Sequence, residues 1–524
     1  MKHIQFSVAL ALFLMIIAFT LFIQPTFATG PVTGGVLRFP NVEPGTLDPA
    51  LLSYSTEVAI AQQIFDGLTQ FDPDGNLAPA IASAWSVSPD VRTFTFTLRS
   101  DAYFHNGRQV KAGDFVYSWN RASSLGGGYA DIFSNVYTFT ALSDFVFRVT
   151  LTNTQSSFLS YTTLPIFFVI PSENASTIGT QPVGTGPFKF VSWTPGASGK
   201  IVLQANPTYY GGTPYLARVE YKFYPTIDSQ WADFQAKNLE VSQIPTTTWN
   251  SVKTDPNVIT ESIMMMYGFG IDNAAFPDVN VRRAFQQAVD RVGIVTDPTV
   301  SNYGALELAH GVVSPGKGTY DNSDINISYN PTNSLSLLAA AGWTDTNHDG
   351  ILDNGTGTNL TILLYGSNTQ VRQRIVNDLS NIGGKGAGAL VSVTTTVNAP
   401  GIKMRISGWY SDIPDPENDL LPYVTNGLVA SRLHYNSAIF NAFYNSGQAS
   451  LDINTRNAAF HLADYQVVIT DATWAPIYYG AMTPVMKKPY VNGLQYSHLV
   501  GHPMAPLRLV WLDLKYLYLP LVLR

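Results

Sequence analysis

A chain of 524 residues is longer than one hydrophobic core usually holds, so two or three domains are expected. Only 13 % of it is Asp, Glu, Lys or Arg, against about 25 % in ordinary globular chains, so its surface must lean on Thr, Ser, Asn and Gln. A net charge of −7 with no basic block excludes a nucleic-acid partner, and the absence of cysteine excludes thiolate chemistry, Cys-ligated metals and lipidation on Cys.

The N-terminus reads as an export signal. Met1-Lys2-His3 is a short positive region, Val8 to Ile23 is apolar apart from Thr20, and Thr26-Phe27-Ala28 places the cut after Ala28. The apolar run is shorter than the ~20 residues a membrane span needs, and no charged stop follows it. The mature protein is therefore expected outside the cytoplasm, in a periplasm-like space, at the cell surface or secreted.

Gly35 to Phe39 reads as a strand, followed by a Pro/Gly loop through Pro49. Glu57 to Gly67 has helical spacing, with Gly67 as its stop. Thr93 to Arg99 alternates apolar and hydroxyl residues as a half-buried strand does. His105-Asn106-Gly107 is a turn, and Asp114 is placed to cap the helix that runs to Arg121. A further helix is expected near Phe158 to Leu164. Pro182 to Phe190 (PVGTGPFKF) is a breaker-rich turn entering a strand; its glycines lack the GK[ST] of a phosphate loop. Strands follow at Lys200–Leu203 and Val219–Tyr224. Helical spacing returns over Val279–Ile294, Ser334–Ala341, Arg372–Ile382 and Thr455–Ile469. Strands at Leu360–Tyr365, Val391–Val397 and Ile402–Ser407 alternate with these helices, as in an α/β domain. The apolar residues from Tyr516 to Leu523 are too few to cross a membrane.

Several strings stand in one order: Leu47-Asp48-Pro49, Ile64-Phe65-Asp66-Gly67-Leu68, the run Leu77 to Trp119, PVGTGPFKF, and NPTYYGGTPYLARVEYKFY. After them come VRRAFQQAVDR, Ala341-Gly342-Trp343 and GWYSDIPDP from Gly408. Together they resemble the extracytoplasmic solute-binding proteins of family 5, the oligopeptide- and dipeptide-binding proteins of ABC transporters. The resemblance covers about Gly35 to Gly501. It implies an α/β periplasmic-binding-protein-like II fold of two lobes with an extra domain in the first, the three-domain arrangement called cluster C. The expected division is 1–28 signal peptide, 29–71 first part of lobe I, 72–181 extra domain, 182–274 second part of lobe I, 275–489 lobe II, and 490–524 third part of lobe I with the apolar tail.

The same resemblance implies a ligand site. Asp412, in Trp409-Tyr410-Ser411-Asp412, matches the acidic residue that pairs with a peptide's amino terminus; the alternative is a cap for the Pro-rich turn that follows. Trp409 is expected as an aromatic wall of that pocket, or as a core tryptophan. Glu57, with Tyr54 nearby, matches a cleft-lining position, or is a solvated helix-start residue. Tyr267 and Phe269 fall where the family's chain passes between lobes, presenting backbone to a peptide or forming crossover core. The ligand is expected to be a small peptide, with oligosaccharide, nickel complexes or haem as alternatives on the same scaffold. The partner is an ABC permease, no cofactor is needed, and a monomer is expected.

Asp345, Asn347 and Asp349 stand at alternate positions with Gly350 sixth, like half of an EF-hand loop, but Thr356 occupies the place of the bidentate Glu. They are a weak calcium candidate. Catalysis draws little support. His498 and His502 are four apart, but Gly501 and Pro503 oppose a helix there, and no G-x-S-x-G occurs. A secreted glycan hydrolase is the competing class, and no carboxylate pair is singled out for it; Asp415 and Glu417 are flanked by prolines and read as turn residues.

Overall fold

The structure is a computed structural model that describes residues 31–127, 130–260, 262–300, 303, 306–481, 483–494 and 507–513. The signal sequence, His498, His502 and the apolar tail lie outside the described residues. Among those described, no helix is long and apolar enough to cross a membrane.

Three large cores organise the chain. The first gathers a four-stranded sheet in the order Val36–Asn41, Arg218–Phe223, Lys200–Ala205, Phe188–Thr194, in which only the first pairing is parallel. The helix Ser55–Ile64 packs on it through Val58, Ile60, Ala61 and Ile64. Val485, Val491, Leu507, Val510 and Leu512 join the same core, so the chain returns to its first lobe at the end.

The second core belongs to the extra domain. Four antiparallel strands, Ala82–Val87, Thr93–Leu98, Val146–Leu151 and Val136–Ser143, carry the helix Ala112–Leu125. Trp119 is fully buried there, its ring centroid 4.7 Å from that of Phe167, 5.0 Å from Phe147 and 5.5 Å from Phe139. Its indole N–H donates to the Phe167 carbonyl at 3.0 Å, which removes the cost of burying a polar group.

The third core fills lobe II around a six-stranded mixed sheet. Its order is Glu307–Leu308, Trp474–Ala481, Ser262–Ile271, Met404–Tyr410, Thr361–Tyr365, Leu390–Thr394. Ser262–Ile271 leads into the lobe and Trp474–Ala481 leads out, paired antiparallel. Gly268 and Gly270 are required there, because a β-carbon on either would collide with Trp474 or its neighbours. The motif VRRAFQQAVDR is scaffold: Arg291, buried, donates to the carbonyls of Ala309, Ile327 and Pro476, and Arg282 to those of Phe276, Pro277 and Asp471.

The structure moves several element ends. The first helix stops at Ile64 because Phe65 is extended. Gly67 is no stop signal; it is a close-approach glycine, since a β-carbon would lie 2.3 Å from the Thr162 carbonyl. Asp114 is not the N-cap. It sits in the first turn of Ala112–Leu125 and accepts the Lys111 N–H at 2.8 Å. The expected helix 279–294 breaks into Val279–Ala288 and Arg291–Val295, because Asp290 turns back to cap the second piece through Gly293 N–H at 2.8 Å. Met404–Tyr410 extends three residues beyond the expected strand, so Trp409 is a strand residue.

Candidate ligand-binding site

Three of the strings that carried the family resemblance meet at one buried knot. Asp66 accepts the hydroxyls of Thr185 and Tyr209, each at 3.1 Å. Gly184 and Gly186 press against the end of the first helix, where a β-carbon would strike the carbonyls of Ile64 and Gln63. Burial pushes the Asp66 carboxyl up to about 6. This knot is structural: it fixes the extra domain's turn at His105, whose ring contacts the Gly184 N–H and the Gly186 carbonyl, against the first lobe.

The candidate site is the loop that follows Met404–Tyr410. Ser411 is tied to the crossing strand by its N–H to the Met264 carbonyl at 2.8 Å, and its hydroxyl donates to Asp419. Asp412 is half-buried, with its N–H donating to the Asn418 side-chain oxygen at 2.8 Å. The Ile413 carbonyl accepts from Lys317 Nζ at 3.0 Å. Asp419 also accepts the N–H and hydroxyl of Ser314 at 2.7 and 2.8 Å. Asp415 pairs with Arg456 and caps the short helix Pro416–Leu420 through the Glu417 N–H at 3.0 Å.

Trp409 precedes this loop, half-buried, with its indole Nε1 shut off from solvent and without an acceptor among the described residues. Its register partner is Met266, so it lies on one face of the sheet. Tyr267 pairs with Gly408 and therefore lies on the other face, stacked on Tyr478 with centroids 5.0 Å apart. Desolvation pushes the Tyr267 phenol up to about 12. The structure thus puts Trp409 and Tyr267 on opposite faces of the sheet, with Asp412 in the loop three residues past Trp409.

The structure places the other expected residues as follows. Phe269 is completely buried among Ile271, Phe285 and Ile406 and is crossover core. Glu57 is not solvated: buried, it accepts the N–H groups of Gly45 at 3.0 Å, Ser53 at 3.0 Å and Tyr54 at 3.2 Å, holding the loop before its helix. Tyr54, the N-cap, is 70 % exposed. The half EF-hand is a nest of turns. Asp345 accepts the N–H groups of Asp349 and Gly350, Asn347 that of Asp349, and Asp349 that of Ile351. Among the described residues no cluster of three or more His, Asp or Glu is placed to hold a metal.

Sequence reasoning missed Lys317, Ser314, Asp419, Gln155 and Tyr161. Lys317 follows Ser314-Pro315-Gly316 and looks like an exposed turn lysine, and Asp419 looks like the solvated start of a helix. Gln155 and Tyr161 come from the extra domain, over 250 positions from the loop they touch. A groove of about 850 Å³ on the first lobe, lined in part by Glu43, Gln181, Phe190 and Trp193, contains none of the candidate residues. The converging polar groups at Asp412 mark the site better than that groove's size does.

Residues 76–430 match the family model of the bacterial extracellular solute-binding proteins, family 5. The chain belongs to this family. The family 5 protein is 26 % identical over 508 residues to the dipeptide-binding protein DppE of Bacillus subtilis, covering 90 % of each chain. It is 25 % identical over 474 residues to heme-binding protein A of Haemophilus influenzae, covering 82 % of this chain and 84 % of that one. Among solved structures it is similar to the oligopeptide-binding protein AppA from Bacillus subtilis in complex with a nonapeptide. There the TM-score is 0.70 at 22 % identity, over 92 % of this chain and all of that one. The expected periplasmic-binding-protein-like II fold, two lobes with an extra domain in the first, is the fold of this solute-binding protein.

Proposed function

We propose that this protein captures short peptides between its two lobes outside the cytoplasm and delivers them to an ABC permease. The observation that carries this reading is the presence of two suitable groups within four residues at the end of one strand. Asp412 sits in a loop fixed by hydrogen bonds on both sides, and Trp409, three residues earlier, holds a buried indole N–H without an acceptor among the described residues. A carboxylate suits the ammonium of a peptide's amino terminus, and an indole N–H suits a peptide carbonyl. A charge-assisted hydrogen bond of the first kind contributes about 1.5–3 kcal/mol.

Relatives support the ligand class. Dipeptide- and oligopeptide-binding proteins stand among them, and the AppA structure holds a nonapeptide. A bound peptide favours closure only through what the closed state offers it beyond the open one. In this reading the protein is a receptor without catalytic residues or cofactor. It works as a monomer, is exported by cleavage after Ala28, and has lobe boundaries near residues 72, 182, 275 and 490. Tyr54 and Tyr267 remain outlying contacts for longer ligands.

Titration calorimetry with a tripeptide pool and with an oligosaccharide pool tests the ligand class. Saturable heat with peptides alone supports the reading, and binding confined to sugars overturns it.

A further inference from the structure

We infer that Lys317 is a positioning residue that aims Asp412 before any ligand arrives. The inference rests on the amine-binding role proposed for Asp412. Lys317 has 1 % of its side chain exposed, an unusual place for an ammonium, whose burial costs several kcal/mol unless it is paired and hydrogen-bonded. Its Nζ lies 3.0 Å from the Ile413 carbonyl and 3.5 Å from Asp419. Burial lowers its pKa, while Asp419, Asp415 and Asp412 act in the opposite direction, which places all three carboxylates near it.

The geometry explains what the buried charge does. Ser411 is bonded to Asp419 through its hydroxyl, and Ile413 is bonded to Lys317 through its carbonyl. The residues on both sides of Asp412 are therefore fastened to one ion pair, and the Asp412 N–H is fastened to Asn418. Ser314 fixes the far side of Asp419 with two hydrogen bonds. Ile413 is thus held directly by a residue almost a hundred positions away, and Ser411 through Asp419, which Ser314 and Lys317 of that same segment pin in place. A carboxylate held this way spends little ordering entropy when it meets an ammonium. A methionine of similar length would fill the space and lose the clamp.

The test compares affinities for a tripeptide pool and for the same pool N-acetylated, measured by competition. Wild type should prefer the free-amine pool, and Asp412→Ala should abolish that preference. Lys317→Met with Asp419→Asn removes both charges together, so no buried ion is left alone. We expect this double variant to cut the free-amine preference about tenfold while weakening acetylated ligands little. Ser411→Ala, which opens one side of the clamp without touching a charge, should cut it about threefold and decides the matter if the double variant does not fold. An undiminished preference in the variants that fold overturns the positioning role while the reading of Asp412 stands. No preference in wild type removes both.

Discussion

Gln155 of the extra domain donates its side-chain amide to Glu417 of lobe II at 3.1 Å, across the seam between the lobes. The same Glu417 oxygen accepts Tyr444 and Gln448, at 3.1 and 3.0 Å, while its other oxygen is buried without a partner among the described residues. Beside it, the Ser156 N–H reaches the Gln448 carbonyl at 3.0 Å. Ile413, next to Asp412, is fully buried in the aromatic core of the extra domain. The ligand loop is thus itself part of the contact between lobes.

This seam should respond to pH. Burial, aided by Asp415 and opposed by Gln155, Arg456 and Tyr444, raises the Glu417 carboxyl to about 7 from an ordinary 4.5. Between those values the folded protein keeps a proton that the unfolded chain has released. Stability therefore falls as pH rises from about 4.5 through about 7 and is level above. The effect should be on the order of 2–3 kcal/mol. His105, lowered to about 4 by burial, has the opposite slope below pH 6.5, so the comparison of wild type with Glu417→Gln isolates the carboxyl. Denaturant melts of both from pH 5 to 8 should converge at the acid end, with the variant the more stable at pH 8.

Ile413→Ala should loosen closure. Removing a fully buried isoleucine costs about 2–4 kcal/mol, and here much of that falls on the contact between lobes. X-ray scattering should show a larger radius of gyration without peptide, and peptide affinity should drop although Asp412 is untouched.

Asp412→Ala should weaken free-amine peptides by roughly 10- to 100-fold and leave N-acetylated ones nearly unchanged. Calorimetry on the two ligand series checks this. Equal losses in both would mean that the carboxylate shapes the loop and does not meet the amine.

Glu57→Ala should act on stability and leave binding alone. Three N–H groups lose their acceptor, so unfolding free energy should fall by about 1–3 kcal/mol in urea titrations, with peptide affinity at wild-type level.

Much of the fold was legible because strands and helices of this chain keep their periods and its family strings keep their order. The alternation of Thr93 to Leu98 and the helical face of Val281, Ala284, Phe285 and Ala288 emerge as expected. What a string does was harder to read. PVGTGPFKF, the Asp66 string and the Tyr209 string are scaffold because they bury one another, a relation absent from any local window. Glu57 shows the same limit: a carboxylate three residues into a helix finds backbone N–H groups within reach, some of them from a loop twelve residues earlier. Lys317 was invisible, because nothing in Ser314-Pro315-Gly316-Lys317 tells that an acid loop folds over it from a hundred residues away.

The account as a whole is tested most directly by native mass spectrometry of the mature protein after incubation with a tripeptide pool. The expected spectrum shows one intact peptide with a free amino terminus per chain, displaced by excess of another peptide. Peptide fragments in place of intact ligand, or no bound peptide from any pool, would contradict it.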